Sequence, residues 1–268
     1  MSWGLESVSV VFGDTIALEE VSLQARAGDI VVVVGGDGAG KTTLCRALVG
    51  LDKVASGSVS RPPRTGFQPE TSGVWGDLTV AENLQFVAGA YDIDPARAGR
   101  RITELLEVTQ LVDARDRLGR ELSGGMRQKL GVTMAVLSDP DLLVLDEPTT
   151  GLDPVSRVEL WSFIALAARE GRAVVVTTAY VDEAARASTV LALDEGSVLA
   201  EGTVAAVVEA MPGRVYQSLV AGGVNSWRRG DGWRVWSPDG SAPLGGIATV
   251  PDLSDVVTVA ALAREATR

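Results

Sequence analysis

Gly35-Gly36-Asp37-Gly38-Ala39-Gly40-Lys41-Thr42 decides how this 268-residue chain is read. It fits the pattern G-x-x-x-x-G-K-[ST]. The β-branched run Ile30–Val34 stands before it, and the helical pattern TTLCRALVG follows. A strand, a glycine-rich turn and a helix in that order form a nest of backbone N–H groups at a positive helix end, suited to phosphate oxygens. Lys41 would reach the β- and γ-phosphates of a nucleotide, and the Thr42 hydroxyl would ligate Mg²⁺. Gly35, Gly36, Asp37, Gly38, Ala39, Gly40, Lys41, Thr42 and Thr43 are therefore the candidate nucleotide-binding residues. A glycine-rich turn with a chance lysine is the plain alternative, and the flanking strand and helix argue against it.

Further along, LLVLD (142–146) and AVVVTT (173–178) are also continuous apolar runs with polar ends. Such runs suit central strands of a sheet covered on both faces. Asp146 ends one of them, where a carboxylate suits a water-mediated contact to Mg²⁺. Glu147 follows and could accept a proton from an attacking water. With helices between the strands, the fold class is α/β.

The stretch 72–140 reads as mostly helical and inserted between strands. Residues 79–91 carry an apolar stripe of Val80, Leu84, Val87, Ala88 and Tyr91, and Thr79 and Glu82 have capping-box spacing. Residues 96–108 continue helical, and 124–137 place Leu130, Met134 and Leu137 on one face. Asp153-Pro154 suits the N-cap and first turn of a helix over 154–170.

In the order these segments occur, the chain resembles the ATP-binding cassette (ABC) subunits of ABC transporters. Leu122-Ser123-Gly124-Gly125-Met126 resembles the family's LSGGQ signature and lies 23 residues before Asp146. Thr150-Gly151-Leu152-Asp153 resembles its D-loop. Phe12-Gly13 stands where the family has an aromatic stacked on adenine. The resemblance covers about 1–210. It implies a P-loop NTPase with an ABC-type ATPase core over 1–211, a helical subdomain at 72–140 within it, and a small C-terminal appendage at 212–268. It also implies ATP and Mg²⁺, and a head-to-tail ATPase homodimer or heterodimer. In that dimer Ser123, Gly124 and Gly125 grip the partner's ATP. A separate transmembrane permease would be the other partner. The segment PDLSDVV (251–257) resembles one found in multidrug-type and polysaccharide-type exporter ATPases, so export is expected over import.

Two positions depart from the family pattern. In Thr177-Thr178-Ala179-Tyr180-Val181-Asp182-Glu183-Ala184 the switch histidine is replaced by Ala179. The chain contains no histidine anywhere, so no other imidazole can serve as base, metal ligand or proton sensor. In Gly66-Phe67-Gln68-Pro69-Glu70, Glu70 holds the expected Q-loop position, eight residues before Leu78-Thr79-Val80; Gln68, two residues early, is the alternative. A carboxylate can still ligate Mg²⁺, but it adds negative charge beside a triphosphate. Lys41 and Glu147 remain as candidate catalytic residues, and Thr42, Asp146 and Glu70 as candidate Mg²⁺ ligands. The expectation is an ATPase whose own site is slow or asymmetric, the signature being intact.

Composition bounds the rest. Asp and Glu number 35 against 24 Lys and Arg, a net charge of −11. That field repels phosphate backbones and argues against a nucleic-acid partner. Only Lys41, Lys53 and Lys129 are lysines, which leaves 21 arginines among the 24. The single cysteine, Cys45, permits no intrachain disulfide and fits a reducing compartment; it reads as a small buried apolar residue. The start MSWGLESVSV lacks the pattern of a signal peptide. No apolar run approaches the roughly 18 residues of a membrane span. A location at the cytoplasmic face, peripheral through a permease, is the expectation. A soluble ABC ATPase acting on ribosomes or DNA, or a non-hydrolysing ATP-dependent regulator, is the alternative. From Pro212 onward SWRRGDGWRVWSPDGSAPLGG is rich in Gly, Trp and Arg, and Asp231-Gly232 reads as a hairpin turn. A hairpin with alternating faces explains Trp227, Trp233 and Trp236 better than a nucleic-acid or membrane surface.

Overall fold

The structure is a computed structural model and describes residues 2–265. Two long strands, β1 (Ser2–Phe12) and β2 (Thr15–Arg26), form an antiparallel hairpin. β3 (Ile30–Val34) runs into the glycine loop and α1 (Lys41–Val49). β4 (Ser56–Ser60) joins the hairpin, and β5 (Thr65–Gln68) leads into the helical region. There α2 (Val80–Ala90), α3 (Pro95–Val108) and α4 (Gly124–Leu137) follow. The chain returns as β6 (Leu142–Asp146), α5 (Pro154–Arg169), β7 (Ala173–Thr178), β8 (Thr189–Asp194), β9 (Ser197–Gly202) and α6 (Val204–Glu209). It ends in β10 (Arg214–Ser218), β11 (Ser226–Arg229), β12 (Gly232–Ser237), β13 (Ile247–Ala248) and α7 (Leu253–Glu265).

The central sheet has order β5-β6-β7-β3-β8-β9, parallel except for β9. Every residue of β3, β6 and β7 is buried. The alternation shows why. Ile30, Val32 and Val34 enter the core shared with the helical region, whereas Val31 and Val33 face α1 and the β1–β2 hairpin. Both faces of the sheet are covered, so the strands carry no polar face.

The helices begin where capping residues allow. Thr79 and Glu82 form a reciprocal capping box on α2. Asp94 caps α3, and Asp153 caps α5 ahead of Pro154. Two local expectations change. Tyr91 is not on the buried stripe; it is the C-cap of α2 and half exposed, its hydroxyl donating to the Thr65 carbonyl at 3.3 Å. The β11–β12 turn is Gly230-Asp231, not Asp231-Gly232, because Arg229 pairs with Gly232 and Gly230 supplies the positive φ of +61°.

The C-terminal strands form their own sheet of order β11-β12-β10-β13. α7 returns to the main body, where Leu253 and Val256 join the principal core. Arg264 reaches the Asp194 carbonyl at 2.6 Å. Two arginines of the hairpin, Arg229 and Arg234, are structural. Arg229 bonds Asp252 and Asp255, and Arg234 lies 3.6 Å from Asp255. Asp255 is completely buried.

Candidate nucleotide site

The glycine loop turns at the carboxyl end of β3, where open α/β sheets bind ligands. A cleft of about 540 Å³ opens over it. Asp37 to Thr43 form its floor, Thr15, Ile16 and Ala17 one wall, and Glu70, Glu147, Glu195 and Gly196 the rest. Gly40 has φ of +102°, and a Cβ there would lie 2.8 Å from the Ala17 carbonyl oxygen. Gly36 and Gly38 have no neighbour within 4 Å of a built Cβ. The loop is thus packed beneath and bare above, as close backbone approach by a phosphate requires.

Lys41 is buried, and its ammonium donates to the carbonyls of Gly35 at 2.8 Å and Gly36 at 2.9 Å. It also faces Glu147 Oε1 at 2.9 Å. The sequence elements read as lysine loop and acidic strand end therefore meet in space. Asp146 is fully buried; its Oδ1 accepts from the Thr177 hydroxyl at 2.6 Å, and Oδ2 has no partner. Such an orphaned carboxylate oxygen, with the Thr42 hydroxyl and Glu70, supplies hard oxygen donors suited to Mg²⁺. Among the described residues no three His, Cys, Asp or Glu side chains converge on a metal position. The donor set thus fits a cation that arrives with phosphate oxygens and water, the usual Mg²⁺ arrangement.

Glu70 is exposed and lines the cleft. Gln68 is fully buried and donates instead to Gln128 of α4 at 2.5 Å. Phe12 ends β1 half exposed, opposite Thr15; it is not part of the cleft lining, which on that side is Ile16 and Ala17. Ala179 is exposed just beyond β7, one residue after Thr178, which pairs with Val34 before the glycine loop. Cys45 is buried in α1, and desolvation, followed by the charge of Asp146, pushes its thiol well above its ordinary pKa. It is therefore an inert packing residue.

The signature lies apart from this cleft. Ser123 caps α4 by accepting from the Met126 N–H at 3.2 Å. Ser123 and Gly124 are exposed, leaving a helix N-terminus open to an external anion. Asp153 accepts from the Val155 and Ser156 N–H groups at 3.0 Å and from the Ser156 hydroxyl at 2.5 Å. Its pKa is lowered chiefly by the Ser156 bond.

Two hydroxyls of the site do not stand out in the sequence: Thr177, which bridges Asp146 and the Glu147 amide, and Thr150, which donates to Glu147 Oε2 at 2.6 Å. Both lie in segments read for other residues, the switch stretch around Ala179 and the D-loop resemblance that ends in Asp153.

The ABC transporter family profile matches residues 18–150. The chain is 38% identical over 215 residues to the probable multidrug ABC transporter ATP-binding protein YbhF of Escherichia coli, a match covering 76% of this chain and 37% of YbhF. It is 35% identical to the Nod factor export ATP-binding protein I of Cupriavidus metallidurans, covering 74% of this chain and 70% of that protein. It is 37% identical to the daunorubicin/doxorubicin resistance ATP-binding protein DrrA of Streptomyces peucetius, covering 72% and 62%. This chain thus spans little more than a third of YbhF. Among solved structures, an ATP binding subunit of an ABC transporter superposes with a TM-score of 0.71 at 26% identity, over 78% of this chain and 92% of that one. A dimeric bacterial ABC transporter cassette superposes at 0.68 and 23% identity, over 76% and 98%, a likeness of fold. With the lysine loop, the acidic strand end and the capped signature helix in family order, this chain belongs to the ABC transporter family of ATP-binding proteins.

Proposed function

We propose that this chain binds and hydrolyses MgATP and powers a membrane permease that exports its substrate. The observation that carries the reading is the meeting of Lys41 and Glu147 at the foot of a cleft floored by bare glycine backbone. Lys41 is placed to exchange its carbonyl partners for β- and γ-phosphate oxygens. Bound Mg²⁺ would neutralise phosphate charge, held by Thr42, with Asp146 through water and Glu70 at the rim. Glu147 is placed to take a proton from the water that attacks the γ-phosphorus.

Ser123, Gly124 and Gly125 are not among the residues that line this chain's own cleft, so their anion site is assigned to the nucleotide of a second cassette. The working unit is therefore a head-to-tail dimer, homomeric or paired with a different subunit. No helix among the described residues is long and apolar enough to cross a membrane. The translocation path is assigned to a separate permease, with this chain peripheral at the cytoplasmic face. The export names of the relatives support that direction. Ala179 offers the γ-phosphate no side-chain donor, and Glu70 adds negative charge at the rim, so turnover at this chain's own site is slow or depends on its partner.

The test is MgATP turnover and membrane association of the full chain. Lys41-dependent nucleotide binding, turnover slowed by about 10²-fold or more but still measurable in Glu147→Gln, and co-purification with a multispanning membrane protein support the reading. Nucleotide binding without any turnover, with or without that partner, overturns the ATPase assignment. Turnover by a chain that never joins a membrane protein overturns the transport assignment.

A further inference from the structure

Glu147 is held from several sides. Its N–H donates to the Thr177 hydroxyl at 2.9 Å, and Oε1 faces Lys41 at 2.9 Å. Oε2 accepts from the Thr150 hydroxyl at 2.6 Å. The Thr150 N–H also returns to the Glu147 carbonyl at 3.2 Å, so residues 147–150 form a turn that carries this hydroxyl back over the carboxylate. Glu147 has φ of +49°, a region that residues other than glycine rarely occupy. A glutamate in that conformation needs its surroundings to hold it.

The two side-chain contacts have different fates when a triphosphate enters. Lys41 belongs to the phosphate cradle, and its attraction to the phosphates frees Oε1. Thr150 is exposed and does not line the cleft, so its bond to Oε2 is made outside the phosphate cradle. Oε2 stays bonded while Oε1 becomes available to a water. The chain has no histidine to orient either group, and Ala179 has only a methyl side chain.

We propose that Thr150 is the positioning residue for hydrolysis, keeping the Glu147 carboxylate aimed at the attacking water once Lys41 has turned to the nucleotide. In that step the water oxygen bonds to the γ-phosphorus, the bond to the β–γ bridging oxygen breaks, and the water proton passes to Oε1. ADP and phosphate leave, and the proton is released to solvent. The inference rests on Glu147 acting as proposed above.

The test compares Thr150→Val and Thr150→Ser in the full chain, each alone and in a Glu147→Gln background, by single-turnover kinetics and ADP binding. Loss of a hydrogen bond to a charged group predicts kcat lower by about 10-fold or more in Thr150→Val. KM and ADP affinity should hold within about twofold, and Thr150→Ser should keep most of the wild-type rate. In Glu147→Gln, Thr150→Val should cost nothing further, because no base remains to be aimed. Wild-type turnover in Thr150→Val overturns the proposal. So does an equal fold-loss in both backgrounds, which marks a loop effect independent of Glu147. A wild-type chain with no turnover at all overturns the ATPase reading itself, and this inference with it.

Discussion

Lys41 Nζ lies 2.9 Å from Glu147 Oε1, and both residues are more than nine-tenths buried. The cation that should meet the phosphates is thus already paired with the carboxylate that should activate water. Nucleotide and glutamate compete for one ammonium. Glu147→Gln removes the competitor and one negative charge beside the phosphates. It should tighten ADP binding by roughly fivefold, about 1 kcal/mol. Calorimetric titration with ADP, which is not hydrolysed, isolates this effect. Weaker binding by the variant would show that Glu147 does not restrain Lys41.

Ala179, the residue after β7, carries no polar side chain, and Glu70 places a carboxylate at the cleft rim. An imidazole at 179 supplies a donor toward the γ-phosphate, and one oriented transition-state contact is worth about 10²–10³ in rate. Ala179→His is expected to raise kcat by at least about tenfold. Glu70→Gln should act mainly on KM for MgATP, lowering it a few-fold, because Glu70 is exposed and its charge is screened. Steady-state kinetics of the two single variants separate these effects. Equal rates in all three proteins would show that this chain is not impaired at its own site.

Adjacent glycines of the signature should respond in opposite ways. A Cβ at Gly124 meets nothing within 4 Å, and the residue opens α4. Gly124→Ala removes backbone freedom from the unfolded chain and should stabilise the fold by roughly 0.5–1 kcal/mol. Its methyl nonetheless stands where a partner's phosphate must approach, so ATP-driven dimerisation should be lost. A Cβ at Gly125 lies 2.9 Å from Ser156 Oγ and 3.2 Å from Ser156 Cβ, and that hydroxyl is tied to Asp153. Gly125→Ala should cost about 1–2 kcal/mol as overpacking, partly relieved by Ser156→Ala. Thermal melts and size-exclusion with ATP read the two effects.

The sequence carried the parts of this site that depend on local pattern. The lysine loop, the acidic end of β6, the Ser123 cap and the Asp153-Pro154 helix start are each set by neighbours within a few residues. The fully apolar β3, β6 and β7 announced a two-sided core for the same reason. Sheet register was beyond such reading. Asp146 and Thr177 are direct neighbours in the β6–β7 ladder, though 31 residues apart in the chain, and no local signal pairs them. The relation of Phe12 to the cleft depends on how the β1–β2 hairpin lies on the central sheet. The Trp- and Arg-rich segment reads as a hairpin in sequence, but the bonds of Arg229 and Arg234 do not, because their acidic partners, Asp252 and Asp255, come more than 15 residues later.

Those partners predict how the C-terminal unit responds to acid. Asp252 and Asp255 cap α7 reciprocally, each N–H donating to the other's carboxylate at 3.0–3.1 Å. Arg229 bonds both carboxylates. Partial burial opposes ionisation of Asp252, but the Arg229 bonds and the Asp255 amide prevail and hold its pKa below the ordinary 3.8. Asp239, bonded by Ser241 and Ser237, is lowered to about 2. A depressed carboxylate pKa means that the unfolded chain binds protons first as pH falls. The stability these groups contribute is complete above about pH 5 and is lost as pH falls from about 4 toward 2. Melting temperature should therefore be flat through neutrality and drop over that acid range. Arg229→Ala should lower stability at pH 7 by about 1–2 kcal/mol, a discounted figure because Arg229 is 39% exposed and Arg234 still faces Asp255. The same variant should shrink the acid-dependent loss, since Asp252 would then titrate closer to its unfolded value. Melts followed by tryptophan fluorescence from pH 7 to 2 check both. An unchanged acid limb in Arg229→Ala would show that the Asp252 pair contributes nothing to it.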